Sequence, residues 1–106
     1  MKPLPAMKEK KRYILFEIKS LQQYSTQEIN DAIEDALKTF LGDLGLAKAA
    51  PSFIKEKSKN NHFVIKVSNS YVDECKSAII LIKTIKKKPV IIASKATSGT
   101  LKKISS

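Results

Sequence analysis

The sequence predicts an α+β domain in the order β-α-β-β-α-β, an antiparallel sheet with two helices on one face. Three observations predict it. Arg12 to Lys19 alternates apolar and polar residues with a period of two. Ile29 to Leu44 carries apolar residues at three- and four-residue steps, the period of a helix that buries one stripe. Two β-leaning stretches, a second helical stripe and a last β-branched run then follow in that order.

In the first strand, Ile14, Phe16 and Ile18 share one face and Tyr13, Leu15 and Glu17 the other. Ser25 with Glu28 has the capping-box spacing, and Tyr24 with Ile29 occupies the staple positions, so the first helix starts at Ser25. Its stripe is Ile29, Ala32, Ile33, Ala36, Leu37, Phe40, Leu41 and Leu44, with acids opposite. Gly45 is expected to end it in a left-handed cap, with Leu46 packing back on Leu41 and Ala47 to Pro51 as connector. Phe53 to Lys57 and His62 to Ser68 form a hairpin around the polar turn Ser58 to Asn61. Ser70 is expected to cap the second helix, with Asp73 and Glu74 in its first turn and Val72, Cys75, Ile79, Ile82 and Ile85 as its buried stripe. Lys86 to Lys88 complement that helix's negative end, Pro89 terminates it, Val90 to Ala96 is the last strand, and Gly99 centres a turn.

This is the split arrangement of ferredoxin-like and RNA-recognition domains. A chain of 106 residues builds one core, stable without disulfide or structural metal. Residues 11–100 are expected to form the domain, with basic tails at 1–10 and 101–106 that carry too little apolar surface to bury. The longest apolar run, Ala78 to Ile82, is far below the roughly 20 residues of a membrane span, and no signal-peptide core follows Met1 to Lys11. A cytoplasmic protein is expected.

Charge is the strongest functional signal. The chain carries 20 Lys+Arg against 10 Asp+Glu, a net charge of +10. Between Ser25 and Leu44 five acids face one base, which leaves that segment at −4 and the remainder at +14. After Glu74 there is no acid, while eight lysines follow. Such a field gathers polyanions and supplies the salt-dependent part of nucleic-acid affinity. Arg12 is the one arginine, so phosphate is favoured over base edges as the ligand.

Catalytic chemistry has no constellation to stand on. His62 falls in a strand and Cys75 on an apolar helix face, so no nucleophile meets a base. Glu34 and Asp35 point about 100° apart on a helix and do not converge on a cation. No P-loop, GxGxxG or HExxH motif occurs. No catalytic residue and no metal ligand is therefore assigned. Tyr13 and Leu15, on the face away from the helices, are candidates either for base stacking or for a protein interface.

Several segments together resemble the archaeal and eukaryotic ribonuclease P protein component 2 family, a small ferredoxin-like subunit. Lys11-Arg12-Tyr13-Ile14 followed by Phe16 looks like that family's first strand. Gly42-Asp43-Leu44-Gly45 with Ala47-Lys48-Ala49 and Pro51 is similar to its helix exit, and Ser98-Gly99-Thr100 with Lys102 and Lys103 to its C-terminal turn. The sequence departs from the family at Lys66, where arginine is common, and beyond the Ser-Gly-Thr turn, where the family continues into a helix that is absent here.

The resemblance implies a non-catalytic subunit of the ribonucleoprotein that removes the 5′ leader from precursor tRNA. Such a subunit binds and stabilises the catalytic RNA together with protein component 3 and other ribonuclease P proteins, in an assembly that contains two copies of each and allows a homodimer of this chain. Magnesium would enter through the RNA, and this chain would bind no cofactor. On that basis Lys11, Arg12, Lys48, Lys95, Lys102 and Lys103 are the expected RNA contacts, and the acidic first helix faces protein. Gly42, Gly45 and Gly99 are expected to serve the backbone. Two alternatives share the fold. One is a stand-alone RNA-recognition or ribosomal-type RNA-binding domain; the other is a small-molecule regulatory domain that dimerises through its sheet.

Overall fold

The computed structural model describes residues 10–20, 22–54 and 61–100. The elements are β1 (Lys11–Lys19), α1 (Thr26–Ala49), β2 (Ser52–Phe53), β3 (His62–Ser68), α2 (Val72–Ile80), β4 (Thr84–Ile85), β5 (Lys88–Pro89) and β6 (Ile91–Ser98), with a 3-10 turn at Asn69–Tyr71. Four strands form an antiparallel sheet in the order β2-β3-β1-β6. With β4 and β5 set aside as a separate ribbon, this is the strand order of the ferredoxin-like fold.

The period of two in β1 does what it predicts. Ile14, Phe16 and Ile18 are buried, and the register sets Phe16 opposite Phe63 and Ile14 opposite Ile65 on the same face. Phe53, Phe63 and Phe16 stack in a row, with ring centroids 6.1 and 5.0 Å apart. Ile29, Ile33 and Leu37 from α1 and Cys75, Ala78 and Ile79 from α2 close the core over them. The Ser25 capping box is present in both directions: the Glu28 amide donates to Ser25 Oγ at 3.1 Å, and the Ser25 amide donates to Glu28 Oε1 at 2.9 Å.

Four local expectations are corrected. The break in α1 falls at Gly42 (φ 72°, ψ 176°), a region that tolerates glycine, and helical turns resume to Ala49 beyond Gly45. Ala50 (φ 46°) makes the left-handed cap, its amide donating to the Leu46 carbonyl at 2.9 Å. Phe40 is 48% exposed and Leu44 70%, because the kink shifts the helical phase before Leu44 and no described element reaches over Phe40. Ser70 lies within the 3-10 turn, and Tyr71 stands at the N-cap of α2 without a side-chain cap bond. Lys86 to Lys88 do not end a helix. α2 stops at Ile80, Lys86 and Lys87 form the turn of the β4-β5 ribbon at φ 54° and 67°, and Pro89 sits in β5.

The last strand is longer than expected and reaches Ser98. Of the hairpin, Ser52–Phe53 and His62–Ser68 are seen as strands; residues 55–60, with most of the expected turn, lie outside the described residues. The expected tails fall there too, except for Lys10, whose carbonyl accepts a hydrogen bond from the Asn69 amide at 2.8 Å.

Candidate nucleic-acid interface

The strand alternation that buries Ile14, Phe16 and Ile18 turns Lys11, Tyr13, Leu15 and Glu17 to the opposite face. There Tyr13 lies across from Lys66, Leu15 from Val64 and Glu17 from His62. Tyr13 is the one Phe, Tyr or Trp side chain that the described strands put on this face, with the His62 imidazole held near Glu17, and both Tyr13 and Leu15 are half-buried. A sheet that stacks successive bases uses aromatics on its central strands, and one tyrosine does not build that platform.

The basic residues gather instead at one end of the sheet. A shallow groove of about 520 Å³ is lined by Lys10, Lys11, Arg12, Tyr13, Lys66, Gly99 and Thr100. Lys11 Nζ donates to Ser68 Oγ at 3.3 Å, and Ser68 Oγ donates to the Lys48 carbonyl at 3.1 Å, which ties the end of α1 to the same corner. Arg12 Nε donates to Asn69 Oδ1 at 2.8 Å. Asn69 therefore aims the guanidinium across Gly99, where a Cβ would stand 2.8 Å from Arg12 Nη1. A side chain at this position would displace the guanidinium, so glycine leaves Arg12 free to lie there.

None of the four groove cations is ion-paired among the described residues, so the groove keeps its charge for a ligand. It offers point charges, one fork-shaped donor and hydroxyls, a set that suits phosphodiester oxygens rather than base edges.

Of the expected RNA contacts, Lys11 and Arg12 thus meet at one corner, which the backbone carbonyl of Lys48 also reaches. Lys95 does not. It is the extra residue of a bulge in β6, between the Leu15–Ala96 and Phe16–Ser94 pairs, and its Nζ lies 3.5 Å from Glu17 Oε1. His62 Nε2 lies 3.6 Å from the other Glu17 oxygen. Lys102 and Lys103 lie outside the described residues. Sequence reasoning missed Lys10 and Lys66 as groove cations, Asn69 as the aim of Arg12, and Glu17 as the partner of Lys95. Strand parity on β3 puts Lys66 on the open face, but only the register brings it to Tyr13.

A second groove has other chemistry. Between α1 and β2 lies a groove of about 570 Å³ lined by apolar Ile33, Leu37, Leu46 and Phe53 and by the charged Glu34, Lys38 and Asp43. Cys75 is buried, and burial followed by the charge of Glu74 pushes its thiol up to about 11, so it is no nucleophile at neutral pH. No group of three or more His, Cys, Asp or Glu side chains among the described residues converges on a metal position. No helix among them is long and apolar enough to cross a membrane.

Comparison with known proteins gives a consistent result. Residues 12–106 match the model of the Rpp14/Pop5 family. Ribonuclease P protein component 2 of Pyrococcus abyssi is 34% identical over 100 residues, 94% of this chain and 85% of that protein. The protein of the same name from Thermococcus kodakarensis is 32% identical over 100 residues, 94% of this chain and 83% of that protein. That from Methanocaldococcus jannaschii is 32% identical over 99 residues, 93% and 72% of the respective chains. A chain in the cryo-EM structure of yeast ribonuclease MRP has the same fold, with a TM-score of 0.70 at 18% identity over 90% of this chain and 78% of that one.

Proposed function

The chain belongs to the Rpp14/Pop5 family and is a ribonuclease P protein subunit, and on that premise we propose that it holds the catalytic RNA by its phosphates in the groove at the Lys11 end of the sheet. The observation that carries this is four cations, none ion-paired among the described residues, lining one groove on a domain that carries half its acids on the first helix. The subunit is non-catalytic. In this reading catalysis and magnesium stay with the RNA; in keeping with it, among the described residues the Cys75 thiol is buried and pushed up to about 11, and no three His, Cys, Asp or Glu side chains converge.

Neutralising phosphate lets RNA segments pack closely, which is how a protein without catalytic groups raises the activity of a folded RNA. Lys10 and Lys66 join Lys11 and Arg12 as the principal contacts, with Lys48 at the groove's edge. Lys102 and Lys103 continue from the groove's Gly99 and Thr100 in sequence and extend the same basic tract. Lys95 contributes less, because Glu17 offsets its charge. Tyr13 serves the RNA side, since it lines the groove, and Leu15 the protein side.

Protein component 3 docks on the α1 side, where the helix carries five of the acids and exposes Phe40 and Leu44, and where the apolar groove between α1 and β2 lies. Precursor tRNA is met through the assembled particle, in which two copies of this chain associate, and the particle works in the cytoplasm. The test is a Lys11→Ala/Lys66→Ala double variant titrated with the ribonuclease P RNA over a range of salt. The expected slope of log K against log salt is shallower by about two. An unchanged slope would overturn the assignment of the groove.

A further inference from the structure

A second concentration of positive charge lies outside the groove. The connection from α2 to β6 is folded into the β4-β5 ribbon, with Thr84 opposite Pro89 and Ile85 opposite Lys88. Its base is anchored: Ile85 and Val90 are buried in the main core, and the Val90 amide donates to the Lys83 carbonyl at 2.9 Å. Its tip projects. Lys83, Lys86, Lys87 and Lys88 are all exposed, and among the described residues none is paired with an acid.

The turn itself is informative. Lys86 and Lys87 have φ of 54° and 67°, the double left-handed geometry of a two-residue hairpin turn that Asn-Gly adopts without strain. The chain carries two lysines where local stability favours Asn-Gly. Strain held at an exposed tip points to a role for the side chains rather than the backbone. Beside the ribbon, a depression of about 440 Å³ is flanked by Lys19 and Lys88.

The position matters as much as the charge. Lys88 and Lys19 border this depression at the exit of β1, whereas Lys11 and Arg12 line the groove at its entry. Eight residue steps along β1 separate the two ends, about 26 Å at the rise of a strand. We propose that the β4-β5 ribbon is a second phosphate-binding arm, so that one copy of the subunit bridges two segments of RNA backbone, one at the groove and one at the ribbon tip. This rests on the RNA-binding function proposed above. The tip carries no aromatic side chain, so it takes the sugar-phosphate backbone without regard to base.

The test uses the full chain and the ribonuclease P RNA transcript, titrated from low to moderate salt. Lys86→Asn/Lys87→Gly removes both charges while easing the turn, so this variant folds at least as stably as the parent. It is expected to bind about 10- to 30-fold more weakly near 0.15 M salt, with a slope shallower by about two. On an RNA hairpin of about four base pairs, too short to reach both sites, the same variant should bind as the parent does. An equal loss on that hairpin would overturn the bridge. If Lys11→Ala/Lys66→Ala loses affinity and Lys86→Asn/Lys87→Gly does not, the ribbon is no phosphate site and the groove stands. If neither variant loses affinity, the RNA-binding function fails along with the ribbon.

Discussion

Replacing Asn61 by alanine is expected to destabilise the domain by about 3 to 4 kcal/mol, although the residue makes no ligand contact and carries no charge. Asn61 stands at the entry to β3 with φ 61° and is buried. Its carbonyl accepts from the Ile18 amide at 2.7 Å, its Oδ1 from the Tyr24 amide at 3.1 Å, and its Nδ2 donates to the Gln22 carbonyl at 2.9 Å. One side chain thus fastens the chain between β1 and α1 just before the capping box. Alanine keeps the backbone bond and loses both amide bonds. Orphaning the buried Tyr24 amide costs about 1 to 3 kcal/mol, and losing the Gln22 bond about 0.5 to 1. Alanine in the left-handed region adds roughly 1 kcal/mol. Asn61→Gly escapes that last contribution and should cost about 2 to 3 kcal/mol. Urea unfolding followed by circular dichroism, with the m-value unchanged, measures both. An Asn61→Ala variant within about 0.5 kcal/mol of the parent, or glycine no better than alanine, would refute the account of this junction.

Three other outcomes are expected. Phe16→Ala should cost about 3 to 5 kcal/mol, because Phe16 is fully buried and stacked on Phe63, whereas half-exposed Phe40→Ala should cost under about 1 kcal/mol; comparable losses in urea unfolding would contradict this core. Gly99→Ala places a Cβ against Arg12 Nη1 and swings the guanidinium off Asn69, so RNA affinity falls several-fold while stability changes by under about 1 kcal/mol; unchanged RNA binding would show that the aim of Arg12 is irrelevant. Cys75 titrates near 9.0 when unfolded and near 11 when folded, so the stability it contributes is intact below pH 9 and is lost as pH rises toward 11. Subtracting the unfolding midpoints of Cys75→Ala across that range isolates the effect, and a flat difference would contradict the burial of the thiol.

Elements governed by local periodicity were legible in the sequence. β1 declared its buried face through Ile14, Phe16 and Ile18, and the α1 start declared itself through Ser25 and Glu28, since a pleat and a capping box act over two to four residues. The C-terminal half of α1 was not legible. Phe40 has the correct angular phase, but burial also needs an opposing element, and no sequence pattern shows where the sheet ends. Gly42 and Gly45 are equally plausible stops by composition, and the backbone uses the first. The lysines after Ile80 resemble a helix terminus because the same residues that complement a helix end also suit a short ribbon. In the groove, Lys11 and Arg12 were expected from the family resemblance of the first strand, whereas Lys66, Asn69 and Gly99 meet them only through pairings that span more than fifty residues.

Reconstitution tests the central claim most directly. Ribonuclease P RNA and the remaining protein subunits are assayed for removal of the 5′ leader from precursor tRNA at low magnesium, with the parent chain, with Lys11→Ala/Lys66→Ala, and without this subunit. Cleavage that rises with the parent chain, and rises less with the double variant as salt increases, is the result expected of a subunit that holds RNA through this groove. Cleavage that is the same with and without the chain would contradict its place in the enzyme.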